Sequence, residues 1–275
     1  MIEIPEAISL SKQLNDTIKG KTISNVVGGY SKHKFTWFYG DVDKYQDLMV
    51  NNKIDNAESF GGFVEISAGN NKILFSEGVN LRFLEDSSKI PDKHQLLIEF
   101  TDGSHLCASV QMYGGVGCFE KDTLENKYYF GARQKPSPLS DDFDKDYFDR
   151  LISSENVQKL SVKAFLATEQ RIPGLGNGVL QDILYNARVH HKQKINTLSQ
   201  EQKTDIFNSI KKTLKEMTDK NGRNTEKDLF SNPGGYITKV SKNTVGEKCK
   251  VCNSKIEKAS YMGGSIYFCS GCQKI

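Results

Sequence analysis

Long apolar runs are missing from this sequence; none approaches the roughly 18 residues that cross a bilayer as a helix. A helical membrane span is therefore not expected. The first 20 residues hold no basic region followed by an apolar stretch, so no secretory signal is expected and the setting expected is cytoplasmic. Internal repeats and low-complexity tracts are absent too, which argues against solenoids and tethers. What remains is ordinary: 275 residues, 37% hydrophobic and 26% charged, enough for one large domain or two to three small ones. The net charge of +3 points only weakly to a polyanionic partner. Its distribution says more. Acids cluster between Asp141 and Asp149, whereas Lys239–Ile275 carries seven lysines against two glutamates, and Arg188–Lys194 is purely basic.

The pattern changes three times along the chain. Pro5 and Glu6 suit the first turn of a helix, and Ala7, Leu10, Leu14 and Ile18 recur at helical spacing until Gly20, so residues 1–20 are expected to be helical. From 22 to 120 short strand-like runs alternate with Gly, Asn and Asp turns, the signature of a sandwich or barrel. Residues 136–149, acidic and with two prolines, look like a linker. Helical periodicity returns over 145–230: Ser161 can cap Val162–Glu169, a helix follows Pro173–Asn177, and Ser199-Gln-Glu-Gln202 forms a capping box. Cys107 and Cys118 stand alone in strand-like runs and read as buried small hydrophobes.

The other four cysteines form a quartet. Cys249-x-x-Cys252 and Cys269-x-x-Cys272 bracket 16 residues, a spacing that brings four thiolates onto one tetrahedral zinc ion. Disulfides fit an intracellular chain poorly, and a redox pair normally opens a helix. With four protein ligands no position stays open, so the Zn2+ expected is structural and supplies folding energy to a lysine-rich β-hairpin.

Pro173-Gly-Leu-Gly-Asn177 lies between two helices. The free N–H groups of the second helix could receive a phosphate at Gly176 and Asn177; the plainer alternative is a helix corner with Asn177 as N-cap. Lys32-His-Lys34-Phe-Thr-Trp37 mixes cations with aromatics, as strand-backbone and base-stacking contacts do, or is a solvated hairpin with Phe35 and Trp37 turned into the core. Met112 and Tyr113, before a Gly pair, could wedge into a base stack or simply pack under a turn.

Together these features resemble the formamidopyrimidine-DNA glycosylase and endonuclease VIII family over nearly the whole chain. MIEIPE is similar to its amino terminus, residues 170–188 to its helix–two-turns–helix motif, and the terminal cysteines with Gln273-Lys274 to its zinc finger. The resemblance implies an α+β multidomain fold. Residues 1–135 would be an N-terminal helix plus β-sandwich, 136–150 a linker, 151–230 the helix–two-turns–helix domain and 231–275 the zinc finger. It implies a monomeric DNA-repair glycosylase, a hydrolase with abasic-site lyase activity. The partner implied is double-stranded DNA with a damaged base or abasic site. Gln170, Gly176 and Asn177 fall on the DNA-contacting motif, with Lys34, Met112 and Tyr113 as further contacts.

In that family an N-terminal proline nitrogen attacks C1′, and the neighbouring glutamate handles protons at the deoxyribose. Glu3 falls on that glutamate, and Pro5 and Glu6 also match. The departures are specific. Ile2 stands where the proline belongs, Gly62 on the family's strand lysine, Gly114–Gly117 on its wedge, and Gly264 on its zinc-finger arginine. Met1 is expected to stay in place, because a large second residue blocks its removal. Its α-amine could form the Schiff base, or Glu3 could activate water without a lyase step. A plainer role for Glu3 is a surface charge near a helix start. Retained Glu3, Pro5 and Glu6 favour an enzyme; the missing proline and cations favour a relative that binds lesions without chemistry.

Overall fold

Helix α1 spans Ile4–Ile18 in the computed structural model, which describes residues 1–275. Pro5 lies in its first turn, where the missing N–H costs nothing. Leu10, Leu14 and Ile18 are buried along one face, and Gly20 leaves the helix at φ +84°. The first three residues are not helical: Glu3 is extended (φ −122°, ψ 179°) and precedes the helix.

The strand-rich block forms two sheets. Its elements are β1 (Ile23–Gly28), β2 (Thr36–Tyr39), a short helix α2 (Tyr45–Met49), β3 (Ile54–Phe60), β4 (Phe63–Ala68), β5 (Asn71–Phe75), β6 (Val79–Leu84), β7 (Leu96–Phe100), β8 (His105–Val110) and β9 (Gly114–Glu120). One sheet runs β1-β7-β8-β6 and the other β2-β9-β5-β4-β3, as the short, turn-punctuated runs predict. A core of 27 buried residues involves both sheets and α1, and Cys118 belongs to it. Burial pushes the Cys118 thiol up and the Cys107 thiol up to about 11, so both stay protonated fillers. One expectation fails: Phe35 and Trp37 are 52% and 56% exposed. Phe35 precedes β2, an edge strand held only by β9, and Trp37 lines an open cavity instead of packing into a core.

Helices α3 (Lys127–Gln134), α4 (Lys145–Ser153), α5 (Val162–Ala167), α6 (Val179–Asn186) and α7 (Gln200–Asp219) follow, and the hairpin β10 (Ile256–Tyr261) and β11 (Gly264–Cys269) closes the chain. Ser161 and the Ser199–Gln202 box cap α5 and α7 as their sequences predict. Helix α5 ends at Ala167 because Glu169 and Gln170 turn back at positive φ. Residues 136–150 are no free tether: Phe143 is fully buried in the helical core, and α4 begins within the segment.

The two cores meet at a seam of glycines. A Cβ on Gly61 would lie 2.8 Å from Pro173 Cβ, and one on Gly174 would lie 2.2 Å from the Gly61 carbonyl carbon. Both residues also hold positive φ (+55° and +75°), so glycine is required twice over. The Ile4 N–H donates to the Gly174 carbonyl (3.1 Å) across this contact.

Behind the hairpin, His191 is 1% exposed with neither ring nitrogen partnered, against the rings of Phe268 (4.9 Å) and Tyr261 (5.3 Å). Burial, then the neighbouring His190 and lysines, lower its pKa to about 3. The unfolded chain takes up this proton near pH 6.5 and the folded one resists until about pH 3. Stability contributed by the neutral ring is thus present above about pH 6.5 and lost as pH falls through that window, by up to about 1.4 kcal/mol per pH unit. Urea titrations of His191→Phe against the parent should show the variant losing less stability in acid; parallel curves would refute the assignment.

Candidate active site and metal centre

Ile2, Glu3 and Ile4 diverge at the seam. Ile2 enters the sandwich core and Ile4 the helical core. Glu3, 1% exposed, sends its carboxylate to the start of α6, where the N–H groups of Gly178 and Val179 donate to its two oxygens at 2.8 and 2.7 Å. The sequence offers Glu3 a surface role near a helix start. The structure instead seats Glu3 at the start of α6, as a buried internal anion that satisfies two orphan donors. Gly176 and Gly178 make the room: a Cβ on Gly176 would stand 2.7 Å from Glu3 Oε1, and one on Gly178 would stand 1.5 Å from Arg223 Nη1.

Arg223 carries no mark of its role in the sequence. It is 2% exposed and follows the close of α7. Its Nε and Nη2 donate to the two oxygens of Glu6 at 2.9 and 2.8 Å, and Nη1 lies 3.6 Å from Glu3 Oε2. Two carboxylates one helical turn apart on a buried face require a cation, but nothing in the sequence says which one. Burial raises the Glu3 carboxyl above the usual carboxylate range, opposed by Arg223 and the two N–H donors. The Arg223 guanidinium, held by both carboxylates, stays charged.

The Met1 amine is ion-paired to the Glu226 carboxylate. Met1, Glu3, Asn177 and Arg223 line one cavity of about 190 Å³. Asn177 is not the N-cap of α6, since Gly178 occupies that position. Its Nδ2 donates to the Ser265 carbonyl (2.9 Å), and its Oδ1 is buried without a partner. The backbone N–H groups of Gly176 and Asn177 have no acceptor within the protein. Lys163, on α5, donates to the Tyr261 carbonyl (2.7 Å), and its Nζ would lie 3.7 Å from a Cβ on Gly264.

A second, larger cavity opens between the strand block and α5. Trp37, Gly62, Glu77, Tyr113 and Gln170 all line it. Gln170 Nε2 donates to Glu77 Oε1 (3.0 Å). Tyr113 packs edge-on to Trp37, ring centroids 6.1 Å apart. Met112, expected either as a wedge or under a turn, is 62% exposed at the loop tip, so the packing alternative fails for it. Lys34 is exposed beside the Phe35 ring. Of the expected DNA contacts, Tyr113 and Gln170 therefore line the larger cavity and Asn177 the smaller one, while Lys34, Met112 and Gly176 line neither.

The cysteine quartet converges. All four Sγ atoms lie within 4.8 Å of one another, with Cys249–Cys272 at 3.7 Å and Cys252–Cys269 at 3.3 Å. Zn–S bonds of about 2.3 Å in a tetrahedron put sulfurs about 3.8 Å apart, so the donor set fits that ion. No disulfide competes. Outer contacts hold the knuckles: the Tyr185 hydroxyl lies 3.1 Å from Cys249 Sγ, and Gln273 ties the Cys269 N–H to the Val189 carbonyl.

Residues 135–228 match the family model described as the formamidopyrimidine-DNA glycosylase H2TH domain. A curated formamidopyrimidine-DNA glycosylase of Mycoplasma mobile is 29% identical over the whole of both chains. One of Lactobacillus johnsonii is 26% identical over 99% of each. Among solved structures, Lactococcus lactis Fpg bound to abasic-site DNA superposes with a TM-score of 0.82 at 21% identity, covering 99% of this chain and 100% of that one. MutM bound to DNA containing carbocyclic 8-oxo-G gives 0.82 at 22%, with the same coverage.

Proposed function

We infer from these likenesses that the chain belongs to the formamidopyrimidine-DNA glycosylase and endonuclease VIII family, and from that premise we propose that it excises damaged bases from duplex DNA. The observation that carries this is Glu3, held at the domain seam by the α6 N–H groups and Arg223. As the N-glycosidic bond breaks, positive charge develops at C1′ and the ring oxygen, and a fixed carboxylate beside it stabilises that charge. Water adds to C1′, and its proton passes to Glu3.

The lyase step belongs to the Met1 amine, which lines the same cavity as Glu3, since Ile2 is committed to the core. Glu226 takes the amine proton, the free amine condenses with the C1′ aldehyde of the abasic site, water leaves, and removal of a C2′ proton expels the 3′ phosphate. Borohydride trapping on a duplex with one abasic site tests this. A covalent adduct mapping to Met1 is expected. Tight binding with an intact strand and no adduct would leave a lesion-binding protein, the reading that Ile2 and Gly62 favour.

Zn2+ on Cys249, Cys252, Cys269 and Cys272 would hold the hairpin in place and take no part in the chemistry. DNA phosphates would meet the free N–H groups of Gly176 and Asn177. Lys34 would add a backbone contact, and Met112 and Tyr113 would fill the stack. Gln170 would face the DNA from the cleft. Lys163 stands in for the cation that Gly264 lacks. Lys163→Met should weaken binding uniformly across sequences and lower the slope of log affinity against log salt by about 1. An unchanged slope in a salt titration would remove Lys163 from the interface.

A further inference from the structure

We propose that the larger interdomain cavity takes a positively charged, N-alkylated purine as the base to be excised; this rests on the glycosylase reading above. The cavity measures about 640 Å³, room for a purine with its sugar edge. Its wall is aromatic and acidic, with Trp37, Tyr113 and Tyr128 among the rings and Glu77, Glu125 and Glu169 as the carboxylates. No lysine, arginine or histidine lines it. Glu169 is paired to Arg171 (2.7 Å), but Glu77 and Glu125 have no cation within 4 Å. A phosphate has no partner in such a space. A flat cation has several, since aromatic faces attract it and carboxylates neutralise it.

Glu77 is the focus. One oxygen accepts from Gln170, and no group in the protein donates to the other. Burial holds its carboxyl above the ordinary range, as expected of an acid that lacks a cation. It also borders the reacting end: a Cβ on Gly62 would lie 3.7 Å from Glu77 Cγ and 3.3 Å from the Ile2 carbonyl oxygen. A base against Glu77 is therefore separated only by Gly62 from the Ile2 carbonyl, the residue next to Glu3 in the chain.

The chemistry suits the residues present. Alkylation at N7 or N3 places a positive charge on the purine. When C1′–N9 breaks, the bonding electron pair neutralises that charge, and the base departs as a neutral molecule with no proton delivered to it. Water adds to C1′ and its proton goes to Glu3. Base departure then needs neither an N-terminal proline nor a lysine at position 62, and this chain has neither.

Trp37 is the only tryptophan, so its fluorescence reports on the cavity. Two titrations, with 7-methylguanosine (a cation in mildly acidic buffer) and with guanosine, are compared on the intact protein. In parallel, release of 7-methylguanine and of 8-oxoguanine is followed from matched duplexes. The methylated nucleoside should bind roughly tenfold tighter or better, Glu77→Gln should abolish that preference, and 7-methylguanine should be released faster. Equal binding of the two nucleosides, a preference that survives Glu77→Gln, or faster release of 8-oxoguanine would overturn the proposal. Release of neither base, with the nucleoside preference intact, would keep the cavity assignment and refute the excision reading.

Discussion

Replacing Arg223 with methionine is expected to destabilise the protein by about 3–5 kcal/mol, a large fraction of the stability of a typical domain. The guanidinium is 2% exposed and bridges two carboxylates that are themselves buried. Methionine fills much of the volume but supplies no charge, so Glu3 and Glu6 would be left facing each other without a cation. Burying an unpaired charge is what makes the loss large; the intact triad need not be strongly stabilising in itself. Urea denaturation of the variant checks the magnitude. A double variant, Arg223→Met with Glu6→Gln, should recover part of the deficit, because one of the two unpaired charges is gone. A single-variant loss below about 1 kcal/mol, the range of an exposed ion pair, would mean that the triad is solvated in solution.

Glu3→Gln should lower the rate of base release by about 10²–10³-fold while leaving affinity for abasic-site DNA within about threefold. The amide is isosteric and can still accept from one of the two α6 N–H groups. It meets the other with a second donor, and it brings no negative charge to C1′. A single-turnover excision assay separates the two effects: the rate constant should fall and the binding constant should not. If both fell together, Glu3 would be acting through the fold, as the cap of α6. If neither fell, the excision reading would lose its central residue.

Much of the architecture is legible in the sequence because local chemistry decides it. Pro5, Ser161 and the Ser199–Gln202 box mark helix starts by groups that satisfy the first N–H donors or need none. The two CxxC pairs mark the metal knuckles by spacing alone. What fails does so where a distant partner decides. The helix Lys127–Gln134 lies in a stretch to which the sequence patterns assign no element; Asn126 caps it, and Tyr129 is anchored by its hydroxyl to Glu65 (2.7 Å). Residues 136–150 look like a tether by proline and acid content, yet Phe143 is claimed by the helical core. Phe35 and Trp37 alternate as core residues would, but Phe35 precedes an edge strand and Trp37 lines an open cavity. Arg223 is the largest omission: it pairs with Glu3 and Glu6, and no local pattern connects Glu6 to a residue 217 positions away.

That separation matters for how the chain is made. Met1 meets Glu226 across 225 positions, and Glu6 meets Arg223 across 217. At about 5–20 residues per second, the first residues to leave a ribosome wait on the order of 10–45 s for their partners. Until Arg223 emerges, Glu3 and Glu6 have no cation, and until the α6 turn emerges, Glu3 has no donors. A nascent chain short of that point cannot close the seam around Glu3 and Glu6, and its sandwich core still lacks Leu229. The first residues of the chain are therefore among the last to be fixed, although they are the first to be made.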